Sequence, residues 1–232
     1  MKLPSHYCPR AGDIAMITSK SLIRLFGPIL IVLLGSTPLL AQDSGSSGPP
    51  LDAPRIPRVE KPWTDAQREI LAPRERNGRV LGVWSTCAQA TELCNAWLVF
   101  TDYLLQETSL PIRDRELLIL RIGWLNGGAY EWAAHTGLAR SVGISDTELE
   151  RILEGPDASG WSDWDATLLR TADELHANAL VSDATWNALA QRYDRRQLME
   201  TVFTVGQYNM VAMYLNSLGV QFEEGFEGFP IQ

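Results

Sequence analysis

Residues 111–140 read PIRDRELLILRIGWLNGGAYEWAAHTGLAR. Pro111 stands where a first helical turn accepts it, since the missing N–H has no intrahelical partner there. Residues 112–125 then carry Leu117, Leu118, Ile119, Leu120, Ile122 and Trp124, apolar nearly all round. That pattern predicts a helix buried on most faces. Asn126-Gly127-Gly128 breaks it. A second helix is expected over 129–142, ended by Gly143. Glu131 and His135 are four apart and share a face of it. Glu116 lies near the start of the preceding helix. If the two helices form a hairpin, the three polar groups converge. A carboxylate among Leu and Ile side chains loses solvation and its pKa rises. Beside an imidazole it becomes a proton donor or relay near neutral pH.

Each residue also has a purely structural reading. Glu116 favours a helix N-terminus through the backbone dipole. Glu131 and His135 make an ordinary i,i+4 pair worth a few tenths of a kcal/mol. Metal ligation is not expected. Helix-bundle di-iron sites place Glu and His three apart, and zinc proteases need two histidines at i,i+4.

Outward from this stretch the chain reads as helical throughout. Helices are expected over 65–72 (Thr64 as cap), 92–106, 146–154 (opened by the capping box of Ser145 and Glu148), 163–179, 183–192 and 195–218. No run alternates with period two, so the fold class is all-α, a helical bundle. In the last helix Gln207-Tyr208-Asn209 interrupts an apolar pattern, and such groups must find partners or line a cavity. Tyr130, Trp132, His176 and Tyr208 are candidate pocket residues. The aromatic ones are equally core residues by their spacing. The tail holds Phe222, Phe226 and Phe229 among acids and glycines, apolar enough to dock or free to fray.

The chain has 232 residues, 45% of them hydrophobic, and a net charge of −8. That length supports one domain with an appendage. The negative charge argues against nucleic acid, which needs a basic stripe to displace counterions. Residues 1–41 have the order of a secretory signal: Lys20 and Arg24, the apolar run LFGPILIVLL over 25–34, then small residues to Ala41. The run is short for a membrane span. An exported chain, periplasmic or secreted, is expected, with an uncleaved membrane anchor as the alternative. Met1 and Met16 both serve as possible starts. Removing residues 1–41 leaves 16 basic against 27 acidic residues, a net charge of −11. Residues 42–62, rich in Gly, Ser and Pro, read as a flexible linker or arm before a domain over 63–232. Cleavage removes Cys8 and leaves Cys87 and Cys94 as a possible disulfide. On one continuous helix their Cα atoms would lie about 10 Å apart, too far to bridge. A bond needs a turn between them; otherwise the two are small core residues.

The order of RDRELLILR (113–121), YEWAAH (130–135), DELH (173–176) and VGQYNMVA (205–212) resembles the carboxymuconolactone decarboxylase family, which includes the alkylhydroperoxidase D-like proteins. The resemblance covers about residues 65–221. It implies an all-α fold that self-associates, commonly as trimers or hexamers. The family's peroxidase branch uses a Cys-x-x-Cys pair, a His four residues after the second Cys and a Glu twelve before the first. Those positions are His135 and Glu116 here, and the thiol positions hold Gly128 and Glu131. A thiol peroxidase needs a thiolate nucleophile, which neither position supplies. The decarboxylase branch has Glu in the second position with His four later, as Glu131 and His135 stand. The expected function is therefore a cofactor-free acid–base enzyme, a decarboxylase-like lyase, acting on a small organic acid or lactone. Its catalytic residues are Glu116, Glu131 and His135: protonated His135 or Glu116 would donate the proton, with Glu131 fixing the imidazole's tautomer. Decarboxylation, isomerisation and hydrolysis would use the same groups. Two alternatives stand beside it: peroxide reduction through Cys87 or Cys94, and a non-catalytic exported oligomer that binds small molecules.

Overall fold

A computed structural model describes residues 51–230. The segment 1–41 expected to be a signal, Cys8 and the first part of the expected linker lie outside the described residues. The rest forms helices α1 (Asp65–Leu71), α2 (Gly82–Cys87), α3 (Thr91–Asp102), α4 (Ile112–Leu125), α5 (Ala129–Ser141), α6 (Asp146–Glu154), α7 (Asp163–Asn178), α8 (Asp183–Ala190) and α9 (Arg195–Leu218). No strand is present among them beyond an isolated bridge between Arg76 and Arg79. No described helix is long and apolar enough to cross a membrane.

Helix α4 is the axle of the bundle. Every residue from Asp114 to Gly123 is buried, and α5, α7 and α9 pack around it. Its apolar side chains join those of the surrounding helices in one core, at roughly 25 cal/mol per Å² removed from water. Its charged side chains must then be paired, because an isolated buried charge is prohibitively desolvated. Arg113 reaches Asp165 at 2.6 Å and Glu148 at 2.5 Å. Asp114 accepts from the Trp164 indole at 3.0 Å and the Tyr193 hydroxyl at 2.7 Å. Arg121 donates to both carboxylate oxygens of Asp173, at 2.6 and 3.0 Å, and to the Ile152 and Leu153 carbonyls, at 2.6 and 3.1 Å. It thereby closes the end of α6 against α4 and α7.

Helix starts follow the expected chemistry. Thr64–Gln67, Ser145–Glu148 and Asp194–Gln197 form complete capping boxes. Two local features differ from the sequence expectation. The helix expected over 92–106 ends as α-helix at Asp102 and continues as a wider π turn, Tyr103–Glu107. In that turn the Leu105 and Leu104 carbonyls accept from Arg115 at 2.7 and 3.4 Å. Short α2 was not anticipated, since it carries no side-chain cap and only one and a half turns of pattern. Between it and α3 lies a tight 3₁₀ turn, Ala88–Ala90. That turn brings the Cα atoms of Cys87 and Cys94 to 5.4 Å, and the two are joined in a disulfide.

Residues 51–62, within the stretch read as a flexible linker, run as an extended arm along the bundle. Arg55 donates its N–H to Leu218 at 2.9 Å, Val59 to Ser85 at 3.0 Å, and Gln89 donates to the Pro57 carbonyl at 2.8 Å. The aromatic tail docks on its own bundle. Phe229 is buried against Trp124 and Trp132, with ring centroids 4.8 and 5.4 Å away, and Phe226 meets Tyr130 at 5.4 Å.

Arg121→Ala is expected to cost about 3 kcal/mol or more, because it strands two buried carbonyls and half-buried Asp173. Arg140→Ala, in the exposed Arg140–Asp146 pair, should cost under about 1 kcal/mol. Urea unfolding of the two variants checks the contrast.

Candidate active site

The α4–α5 hairpin sets Glu116 opposite His135. Glu116 Oε2 lies 2.7 Å from His135 Nδ1, while Glu116 Oε1 accepts from Arg115 Nε and Nη2 at 3.1 and 3.0 Å. The Glu116 side chain is completely buried. Burial alone would push its carboxyl up, but the charges and hydrogen bonds of His135 and Arg115 outweigh that and hold it below the usual carboxylate range. An ionised Glu116 accepts from Nδ1–H, which fixes the imidazole's tautomer and leaves Nε2 free to take or give a proton.

His135 opens onto a cavity of about 120 Å³ between α2, α3, α5 and α9. Most of its wall is apolar: Val83, Trp84, Trp97, Leu105, Val211 and Leu215. Glu131, Tyr130, Gln207 and Tyr208 also line it. The Tyr208 ring stands perpendicular to the His135 ring with centroids 5.0 Å apart, bracing it from α9. Gln207 donates to Thr101 at 2.8 Å.

Glu131 is the anomaly of the site. Both carboxyl oxygens are buried and neither has a hydrogen-bond partner. Burial, and secondarily the negative charge of Glu116, push its carboxyl well above the usual range. Burial therefore favours its protonated form. Space for it comes from Gly123 of α4, where a Cβ would lie 2.8 Å from Glu131 Oε1.

The structure thus brings the expected catalytic residues together but alters their roles. Glu116, rather than Glu131, orients the imidazole, and it stands behind His135, off the cavity wall. Glu131, rather than Glu116, is the carboxyl whose burial favours the protonated form. Of the expected pocket residues, Tyr130 and Tyr208 line the cavity. Trp132 and His176 do not. Successive helical residues point about 100° apart, so Trp132 turns from Glu131 toward Phe229 and α6. His176 is exposed in the last turn of α7. Its DELH neighbours are structural: Asp173 holds Arg121, and Glu174 accepts from the Ser182 N–H at 2.7 Å and the Thr185 hydroxyl at 2.8 Å. The sequence reading missed Arg115, Trp97 and Thr101, while Gln207 both lines the cavity and finds a partner as its polar place in an apolar helix implied. Arg115 was signalled only by being charged inside an apolar helix.

The sequence model of the carboxymuconolactone decarboxylase family matches residues 91–174, from α3 to the DELH segment. This part of the chain is similar to that family. Solved structures share the architecture. A peroxidase-related protein from Silicibacter sp. superposes with a TM-score of 0.64 at 18% identity, over 78% of this chain and 95% of its own. An alkylhydroperoxidase D core protein from Ralstonia eutropha gives 0.62 at 19% identity, over 73% and 93%. The debrominase Bmp8, solved in complex with 2,3,4-tribromopyrrole, gives 0.61 at 12% identity, over 72% and 91%. At these identities the likeness is one of fold. No curated protein is significantly similar in sequence.

A neutral buried Glu131 makes a signed prediction. In the unfolded chain this group ionises at its ordinary value, while in the folded chain it stays protonated. Its contribution is present at low pH and lost as pH rises above the ordinary carboxylate value, by about 1.4 kcal/mol per pH unit until its folded pKa is reached. Glu131→Gln removes that loss. Urea unfolding should show the variant gaining stability relative to wild type between pH 5 and pH 8; an equal difference at both would show that Glu131 is not held neutral.

Proposed function

We propose that the chain is a cofactor-free acid–base enzyme acting on a small organic molecule held in the cavity beside His135. The observation that carries this reading is an unpartnered, neutral Glu131 lining the same cavity as an imidazole oriented from behind by Glu116 and Arg115. A carboxyl whose burial favours its proton and an imidazole with Nε2 free give an acid and a base on one wall. His135 Nε2 takes a proton, or returns one, while Glu131 donates to a developing oxyanion or carbanion. Decarboxylation, isomerisation and lactone hydrolysis all draw on these two operations.

The peroxidase alternative draws on Cys87 and Cys94 alone. Cys94 is fully buried, and Cys87 opens not onto this cavity but onto a surface groove on which Trp97 also borders. The acid–base reading uses groups already gathered at one cavity and is preferred. Turnover is expected on a panel of lactones, unsaturated ketones and keto acids, falling about 100-fold or more in His135→Ala and Glu131→Gln. Unchanged turnover in both variants would reject the assignment.

The chain is further proposed to be exported and to self-associate as a trimer or hexamer. The Cys87–Cys94 disulfide supports an oxidising compartment. Leu93 and Val99 on α3, with Met199, Phe203, Met210 and Met213 on α9, form an exposed apolar face that supports association of copies. N-terminal sequencing and sedimentation of the exported chain should find a start after Ala41 and a trimer or hexamer. A retained Met1 or Met16 would refute export by cleavage, and a monomer would refute self-association.

A further inference from the structure

Among the described residues, no lysine or arginine lines the cavity beside His135. Arg115 is the guanidinium at hand, and it is already committed: Nε and Nη2 to Glu116, Nη1 to the Leu105 and Leu104 carbonyls. With His135 acting as base, the Arg115–Glu116–His135 chain sums to zero charge, and Glu131 is neutral. An anion entering this space would shed its hydration without meeting a free cation, and Glu116 would lie close behind the imidazole. A neutral carbonyl compound meets no such penalty and finds a proton donor in Glu131. Size narrows the choice as well. An apolar cavity of about 150 Å³ holds benzene, so 120 Å³ suits a molecule about one small ring in extent.

Resting on the acid–base reading, we infer that the substrate is an uncharged carbonyl compound about one ring in size. Its reaction is a proton shift within that compound rather than loss of carbon dioxide, which starts from a carboxylate anion. For a β,γ-unsaturated ketone the step balances without a co-reactant. His135 Nε2 removes a proton from the carbon between carbonyl and alkene as Glu131 donates its proton to the carbonyl oxygen, leaving a neutral dienol, a Glu131 carboxylate and a protonated imidazole. The dienol O–H then returns its proton to Glu131. Its electrons move back through the conjugated system, and the γ carbon takes the proton from Nε2. The double bond has moved into conjugation and both residues are restored.

Two measurements on the full folded domain test this. The first compares an unreactive isosteric pair, benzamide and benzoate, by thermal melting at pH 7.5. Benzamide should raise the melting temperature and benzoate should not. A shift from benzoate equal to or larger than that from benzamide, or no shift from either, overturns the assignment of a neutral ligand. The second follows 3-cyclohexenone by NMR. Conversion to 2-cyclohexenone is expected, slowed about 100-fold in His135→Ala, with Arg140→Ala, in an exposed ion pair away from the cavity, as a folded control. No catalysed conversion overturns the proton-shift assignment. Turnover confined to keto acids, with release of carbon dioxide, overturns this inference while leaving the acid–base enzyme standing.

Discussion

A helix buried on most faces that nevertheless carries five charged residues constrains everything around it. In α4, Asp114, Arg115, Glu116 and Arg121 cannot reach bulk water without pulling the helix out of the core, and half-buried Arg113 sits at its edge. Each must meet a partner supplied by another element. The partners are distributed over the whole bundle: Glu148 on α6, Asp165 and Asp173 on α7, Tyr193 before α9, the π-turn carbonyls after α3, and His135 on α5. Such pairs are not strong net stabilisers, since desolvation offsets most of their attraction. Their consequence is selective. Any other arrangement of these helices strands a charge in hydrocarbon, and the penalty for that is several kcal/mol per site. The same constraint that fixes the bundle also fixes the imidazole, because His135 is one of the partners.

Much of this was legible in the sequence, and the legible parts share a cause. Helix positions follow from periodicity and caps that act within a few residues, as at Ser145–Glu148 and Asp194–Gln197. The Glu116–His135 meeting needed only a hairpin at Asn126-Gly127-Gly128. What escaped depends on distant parts of the chain. The π turn exists in company with Arg115, ten residues on. The Cys87–Cys94 pair was named but left open, because its bond depends on a 3₁₀ turn that no strong local signal announces. His176 looked chemical beside Asp173 and Glu174, yet those two carboxylates are fully occupied by Arg121, Ser182 and Thr185, and the imidazole is left to solvent. Trp132 was misplaced by one residue's rotation, a shift of about 100° that adjacency in sequence conceals.

The exchange of roles between the two carboxylates follows from what each can reach. Glu116 has Arg115 on one oxygen and His135 on the other, and two positive or donating neighbours keep it ionised despite burial. Glu131 sits one helical turn from His135 on the same helix but receives no hydrogen bond at all. A buried group with that little support discards its charge instead of its solvation. Its neutrality is thus a product of neglect by the surrounding protein, maintained by the close approach of Gly123.

That arrangement also bears on why a thiol is missing. At Gly128, the first thiol position implied by the family resemblance, a Cβ would lie 3.1 Å from the Gly123 carbonyl and 3.3 Å from the Ala212 Cβ. A cysteine there would force α4 and α9 to give way by a few tenths of an ångström. At the second position stands a carboxyl for which α4 has made room. The two positions therefore fit each other: a pocket tightened at residue 128 and hollowed at residue 123 suits a carboxyl better than a dithiol. Packing here disfavours a first sulfur, while the carboxyl at the second position stands one helical turn from a fixed imidazole.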